Sequence, residues 1–229
     1  MGTLVTSRLD SSIATITMDD GKVNALSPDM LSQVSAALDE AASAAVVVLA
    51  GRPGVFSAGF DLSVLQARGP GAEAMIRGGF ELAARLLTFP APVLIACTGH
   101  AVAMGSFLLL SGDYRIGADG PYKIMANEVA IGMSIPMAAI EVCRQRLAPA
   151  HLSRALTLAE TFPPAEAAVA GFLDLVVPEA ELADVVRGAA GRLAALDRTA
   201  HATTKLRLRG ETVAAIRADL EATGADLRA

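Results

Sequence analysis

The chain has 229 residues, a formal net charge of −5 and a hydrophobic content of 53%, but aromatic residues make up only 4%. A chain of this length can bury a full core as one large domain or two modest ones. The acidic balance and the scarcity of aromatic side chains for base stacking argue against a nucleic-acid partner. Cys97 and Cys143 lie in apolar runs and match neither a zinc spacing nor a disulfide framework, as in a reduced cytoplasmic protein.

Two stretches bear on export and membrane insertion. Residues 1–6 lack the basic start and the apolar core of a signal peptide. Residues 93–112 are long and apolar enough to suggest a membrane helix, but Gly99, His100 and Gly105 interrupt the run, which has no basic flanks. We therefore expect a buried core segment here, and a cytoplasmic protein without a membrane partner.

The order of apolar runs and helical repeats predicts an α/β chain. Strands are predicted at residues 4–8, 13–18, 46–50, 93–97, 114–118, 122–125 and 172–177. Helices are predicted at residues 28–41, 72–88, 137–147, 151–160 and 164–170, near Gly105, and after residue 179 with breaks near Asp197 and Gly210. Strand pairs that alternate with helices, and then helices alone, predict an α/β domain in residues 1–196 and a helical region in residues 197–229.

Two glycine-containing turns give the first indication of chemistry. One turn surrounds Gly59, and the other, Ala103-Met104-Gly105, follows a strand and begins a helix. The first amides of a helix have no intrahelical partner and attract negative charge, and small residues let a ligand approach them closely. Two such amides that converge on one oxygen would form an oxyanion hole. The alternative, that both turns only reverse the chain, stays open at this point.

Glu128 is the candidate acid/base. It stands between Asn127 and the apolar run 129–133, where contact with apolar surface would raise the pKa of its carboxyl toward the range of a general base. The alternative is a surface glutamate that caps a turn or pairs with a cation.

The other polar residues form weaker patterns. Ser57 and Ser106 lack the Gly-x-Ser-x-Gly elbow of a serine nucleophile. The three histidines show no ligand spacing, so no metal site is predicted. Residues 69–71, Gly-Pro-Gly, are predicted to form a loop that lacks the lysine of a phosphate cradle. The basic strip of Lys205, Arg207 and Arg209 is either solvated or in contact with a phosphate.

At these residues the chain resembles the crotonase superfamily, also called the enoyl-CoA hydratase/isomerase family. The resemblance extends from residue 22 to residue 178, and its most specific motifs are 56–62, 98–116, Asn127-Glu128 with Gly132, and 162–174. It implies an α/β, crotonase-like (ClpP/crotonase) spiral of ββα units with a C-terminal helical region used in assembly. It further implies a homotrimer or a hexamer built as a dimer of trimers.

The resemblance also implies an acyl-CoA thioester substrate whose carbonyl oxygen lies between two backbone amides. Carried over by position, these amides belong to Phe60 and Met104, although members of the family commonly have glycine at the second position. No cofactor is implied, because CoA is part of the substrate. The residues that the resemblance assigns to substrate binding are Asn24, Ala25, Leu26, Ser57, Ala58, Gly59, Asp61, Gly105, Phe107 and Asn127.

The departure from the family pattern lies at Phe107. Hydratases of this family have a first glutamate at that position and a second at the position of Glu128, and the pair handles the water and its proton. One carboxylate can still remove a proton from one carbon and return it to another. The chain is similar in this respect to Δ3,Δ2-enoyl-CoA isomerases of fatty-acid β-oxidation. We therefore expect an enoyl-CoA isomerase that uses Glu128, with a hydratase or a non-catalytic acyl-CoA-binding homologue as the alternatives.

Overall fold

Two β-sheets organise the residues that this computed structural model describes, 2–226. The strands are β1 (Val5–Asp10), β2 (Ile13–Met18), β3 (Val46–Ala50), β4 (Gly54–Ser57), β5 (Val93–Cys97), β6 (Gly99–Val102), β7 (Tyr114–Asp119), β8 (Ile124–Met125) and β9 (Leu175–Pro178). The helices are α1 (Pro28–Glu40), α2 (Leu62–Ala67), α3 (Pro70–Thr88), α4 (Met104–Leu110), α5 (Met137–Arg144), α6 (Pro149–Thr157), α7 (Pro164–Ala170), α8 (Leu182–Leu193) and α9 (Arg198–Asp226).

The two sheets are built by a repeating connection. The large sheet has the strand order β1-β2-β3-β5-β7-β9 and the small sheet the order β4-β6-β8. β1 and β2 form the predicted hairpin and pair antiparallel, whereas the other pairs are parallel. After each of β3, β5 and β7 the chain passes into the small sheet and then through helices back to the large one. This repeat is the expected spiral of ββα units.

Alternate residues of the large sheet face two different cores. On β3, Val47 and Leu49 pack into the main core with the inner helices, whereas Val46 and Val48 face the opposite side, which α8 covers. Because both faces are buried, the strand reads as a continuous apolar run rather than an alternating one.

Several predicted boundaries are confirmed by their capping groups. Ser27 is the N-cap of α1, and its hydroxyl accepts a hydrogen bond from the Met30 N–H at 3.2 Å. Gly171 ends α7 in the left-handed conformation, with a φ of 98°. The interrupted apolar stretch at 93–112 forms β5, β6 and α4, so the expectation of a core segment is confirmed. Within residues 2–226, no helix has the length and apolar character needed to cross a membrane.

Two local predictions are wrong, because the effect of a glycine depends on the residues that pack around it in the folded chain. Residues 99–102 form strand β6, which is missing from the predicted strands, and Gly99 lies so close to the backbone of Gly54 that a Cβ there would overlap it. α9 continues through Gly210 without the predicted break. Burial of the apolar side chains that follow Gly210 on this helix outweighs the roughly 1 kcal/mol that glycine costs there.

A third wrong prediction concerns residues 69–71. They do not form a loop: Gly69 is the N-cap of α3 and Pro70 is its first residue. Proline is tolerated at this position because the first helical N–H has no intrahelical partner to lose. The chain therefore enters α3 almost directly from α2, a short helix that the sequence did not predict. The division of the chain between residues 196 and 197 stays a prediction.

A buried group of ion pairs joins α9 to the residue that precedes β7. The Nζ of Lys205 lies 2.6 Å from Oδ2 of Asp113, and Nη1 of Arg209 lies 2.8 Å from Oδ1 of the same carboxylate. Lys205 and Arg209 are only 4% and 5% exposed, whereas Arg207 is exposed. The prediction that this strip is solvated or contacts a phosphate is therefore wrong for Lys205 and Arg209, which hold α9 to the core.

Candidate active site

The two glycine turns meet where β4 and β6 end. Gly59 has a φ of 91°, and a Cβ at this residue would lie 2.9 Å from the Cβ of Ala103 and 3.2 Å from the backbone nitrogen of Met104. Gly105 approaches the backbone of Ser57 so closely that any side chain there would overlap it. Glycine is required at both positions because only its bare backbone allows this approach. The turn that precedes Phe60 and the first residue of α4 are therefore immediate neighbours.

The backbone N–H groups of Phe60 and Met104 are free in this arrangement. Neither donates a hydrogen bond to another residue within the described range 2–226. Met104 is the first residue of α4, so its N–H has no intrahelical acceptor. The two adjacent turns therefore each carry a backbone donor that has no acceptor in the described residues, and an oxyanion hole is built from donors of this kind.

Ala103, just before α4, is strained. Its φ of 51° and ψ of −129° lie in a region that costs a non-glycine residue about 1–3 kcal/mol. The surrounding hydrogen bonds hold it there: its N–H donates to the Met125 carbonyl at 2.9 Å, and its carbonyl accepts from the N–H and the hydroxyl of Ser106, both at 2.8 Å. The Ser106 hydroxyl is buried and stabilises the turn, so Ser106 is not a candidate nucleophile.

Asn24 and Ser57 stabilise the other turn from beneath. Both are fully buried. The Asn24 side-chain amide donates to the carbonyl oxygens of Met18 at 2.9 Å and of Phe56 at 3.2 Å. The Ser57 hydroxyl donates to the Asn24 carbonyl at 2.8 Å and accepts from the Gly59 N–H at 3.1 Å. The side chains of Asn24 and Ser57 are thus used by the scaffold, and the turn presents Ala58 at the surface.

A cavity of about 190 Å³ lies beside these turns and contains Glu128. The Glu128 side chain is 8% exposed, and burial raises the pKa of its carboxyl above the usual 4.5. Its Oε2 and the Oδ1 of Asn127 are buried and accept no hydrogen bond from any residue in the described part of the chain. Glu128 makes no ion pair there and caps nothing with its side chain. The alternative of a paired or capping surface glutamate is therefore wrong.

Aromatic rings form the inner wall of the cavity. Phe107 is 1% exposed and stacks on Phe80 with ring centroids 6.2 Å apart, and Phe80 meets the edge of Phe60 at 6.4 Å. The outer rim is formed by exposed residues, and the whole lining consists of Ala58, Phe60, Leu62, Leu65, Ile76, Phe80, Ala103, Phe107, Asn127, Glu128, Ile131, Met133, Ser134 and Pro136. Glu128 supplies the one carboxylate in this described lining.

The structure brings together only part of the predicted site. Ala58, Phe60, Phe107, Asn127 and Glu128 line the cavity, whereas the remaining predicted residues, Met104 among them, are not part of its lining. Leu26 is buried and its N–H donates to the Gly59 carbonyl at 2.8 Å, whereas Ala25 is half-buried. Asp61 caps α2, and its Oδ1 accepts from the Ser63 N–H at 2.8 Å. The sequence did not predict the apolar contribution of α2 and α3, whose helical spacing indicates a buried face but not that this face borders a cavity.

The sequence as a whole matches a known family. Residues 8–224 match the family model described as enoyl-CoA hydratase/isomerase. The chain belongs to the enoyl-CoA hydratase/isomerase family. The resemblance read from the motifs is confirmed, and the α/β spiral with its C-terminal helix is the crotonase-like fold of this family. The chain is accordingly an enzyme of a family whose members include enoyl-CoA isomerases and hydratases.

Individual relatives differ in the reaction that their names give. The chain is 32% identical to the human mitochondrial enoyl-CoA delta isomerase 1 over 206 residues, which cover 87% of this chain and 68% of the relative. It is also 32% identical to a probable enoyl-CoA hydratase of Mycobacterium avium, over 84% of this chain and 76% of the relative. The structure of an enoyl-CoA hydratase from Mycobacterium marinum superposes with a TM-score of 0.94 at 47% identity and covers 98% of this chain and 100% of that one. The relatives therefore establish the family but not the reaction, which has to be inferred from the residues of the site.

Residues 2–226 hold no group of three or more His, Cys, Asp or Glu side chains placed to share a metal ion. Cys143 is fully buried, and burial, together with the nearby Glu128, raises the pKa of its thiol far above the usual range.

Proposed function

We propose that this protein is an enoyl-CoA isomerase that moves the double bond of a 3-enoyl-CoA to the conjugated 2 position. The observation that carries the proposal is the cavity lining, in which Glu128 is the one carboxylate and the stacked Phe107 ring occupies the inner wall. A double-bond shift needs one group that takes up a proton and returns it, and no water.

The proton moves in two steps. The Glu128 carboxylate removes a proton from C2 of the 3-enoyl thioester, and the electron pair delocalises onto the thioester oxygen and C4. The N–H groups of Phe60 and Met104 donate to that oxygen and stabilise its negative charge. The carboxylic acid of Glu128 then returns the proton to C4, which leaves the double bond between C2 and C3. The raised pKa of Glu128 makes it a stronger base than an exposed glutamate.

Hydration would require the same cavity to bind and activate a water molecule. A water molecule must be held beside C3 and lose a proton while C2 gains one, which is the work of two polar groups in the hydratases that the chain resembles. Phe107 offers no hydrogen bond to such a water, and its ring is 1% exposed. Burial of the unpaired Glu128 carboxylate costs free energy, and a protein that only binds acyl-CoA would gain nothing from it. This argues against a non-catalytic homologue.

The experiment is to supply the purified protein separately with 3-hexenoyl-CoA and 2-hexenoyl-CoA and to follow conjugated-thioester absorbance and product mass. The proposal predicts new conjugation without a change of mass from the first substrate. Addition of one water to the second substrate, with no isomerisation of the first, would show a hydratase instead. Binding of both without any product would favour the non-catalytic homologue.

The pathway and the assembly are inferred from the family resemblance, and the compartment from Cys97 and Cys143, which match no disulfide framework. We expect a cytoplasmic enzyme of fatty-acid β-oxidation that assembles as a homotrimer or a hexamer through its C-terminal helical region. The proposed chemistry uses no cofactor apart from the CoA of its substrate.

A further inference from the structure

α3 carries two adjacent glycines with very different surroundings. A Cβ on Gly79 would lie 2.5 Å from Cε1 and Cζ of the Phe60 ring and 3.5 Å from the methyl group of Met104. A Cβ on Gly78 would meet only the Leu31 side chain, at the ordinary contact distance of 3.6 Å. Gly79 therefore leaves a notch in the surface of α3, and the tip of the Phe60 ring occupies it.

The position of this ring bears directly on the cavity. Phe60 is half-buried and lines the cavity, and Phe80 packs against it with ring centroids 6.4 Å apart. A side chain at position 79 would have to displace the ring. The tip of a side chain moves at lower cost than the backbone, and because Phe60 lines the cavity, the cavity is open space that the displaced ring can enter.

We propose that Gly79 sets the length of acyl chain that the cavity accepts, because it holds the Phe60 ring against α3 and out of the cavity. This inference rests on the acyl-CoA substrate of the proposed function. The cavity volume of about 190 Å³ is below the roughly 300–1,000 Å³ that is usual for a small-molecule pocket. A phenyl ring that enters this space removes a large part of it.

The test compares the affinities of butanoyl-CoA and octanoyl-CoA, measured by calorimetry, for the wild type, Gly79→Ala and Gly78→Ala. Each methylene group excluded from burial weakens binding about fourfold. We expect Gly79→Ala to weaken octanoyl-CoA binding by at least ~10-fold more than butanoyl-CoA binding. Gly78→Ala should leave both affinities within about twofold, since it gains the same helix propensity without meeting the ring. An unchanged ratio of the two affinities in Gly79→Ala would overturn the inference.

The double variant Gly79→Ala with Phe60→Leu separates a specificity role from a general loss of structure. The smaller side chain keeps the backbone N–H of position 60 and vacates the notch, so octanoyl-CoA binding should recover in the double variant. A merely misfolded Gly79→Ala would not be rescued, and that result would contradict the inference. Binding is measured without turnover, so a wild type that binds both esters but does not isomerise would refute the proposed function alone. A wild type that binds neither ester would refute both.

Discussion

Phe107 and Glu128 line the same cavity, and Phe107 is held in its wall by stacking on Phe80 with ring centroids 6.2 Å apart. This relationship places a carboxylate and a large apolar ring on the surface that an acyl thioester would contact. In the isomerisation that we propose, this arrangement favours proton transfer along the substrate over attack by water.

The first prediction concerns Phe107→Glu. A second carboxylate in the cavity should allow the enzyme to hold and deprotonate water, so the variant is expected to hydrate 2-hexenoyl-CoA, measured as a gain in product mass. Phe107→Gln is the matched control, because it has the same size and admits water but cannot act as a base. Equal hydration by the two variants would show that water access, rather than a second carboxylate, limits the reaction.

The second prediction concerns pH. The proposed reaction requires ionised Glu128, and burial raises the pKa of that carboxyl, so kcat should fall on the acid side with a midpoint above 4.5. A midpoint at or below 4.5 would contradict the buried position of the carboxyl group.

The same pKa shift affects stability in a defined direction. Between the lower pKa of the unfolded chain and the raised pKa of the folded one, the folded protein binds more protons. The free energy of unfolding should therefore fall as pH rises through this window, and the fall should be smaller in Glu128→Gln. Denaturant unfolding of both proteins across the window measures the difference.

The third prediction concerns the contact of the two glycine turns. In Gly59→Ala the new Cβ meets Ala103 and Met104, so the turns must separate and turnover should fall by about 10²-fold, as when one oxyanion-hole donor is lost. Gly21→Ala is the control, because Gly21 has a similar φ of 72° but nothing within 4 Å of its Cβ position. A loss of activity confined to Gly59→Ala supports the account, and full activity in this variant contradicts it.

The fourth prediction concerns the attachment of α9. Asp113→Asn leaves the buried Lys205 and Arg209 without a counter-charge, so the free energy of unfolding should fall by about 3–5 kcal/mol. Asp184→Asn is the control: its ion pair with Arg187 is exposed, and its loss should change stability by less than ~1 kcal/mol. Similar urea midpoints for the two variants would show that the buried pairs do not stabilise α9.

Helix boundaries could be predicted from the sequence where a capping residue marks them. Ser27 predicted the start of α1 and Gly171 the end of α7, because caps act through near neighbours. Gly99 and Gly210 misled the prediction, because the close approach of β4 to β6 and the packing of α9 depend on residues distant in sequence.

The candidate site likewise could be predicted from the sequence only in part. Glu128 could be singled out as a carboxylate beside an apolar run, but only the folded chain shows that it is buried and unpaired. Phe80 is one apolar residue among many on the buried face of α3, and helical spacing does not distinguish a residue beside a cavity from one in the core. For Lys205 the sequence misled, because the side chain was expected to be solvated or to contact a phosphate but is buried in an ion pair with Asp113.

The most direct test of the account compares the wild type with Glu128→Gln for the rate of conjugated-thioester formation from 3-hexenoyl-CoA, alongside the affinity for butanoyl-CoA. Glutamine keeps the shape of the side chain but cannot take up the proton. We expect the rate to fall by about 10²- to 10⁴-fold in Glu128→Gln, with the affinity kept within about threefold. Isomerisation by Glu128→Gln at the wild-type rate would contradict the proposed role of Glu128.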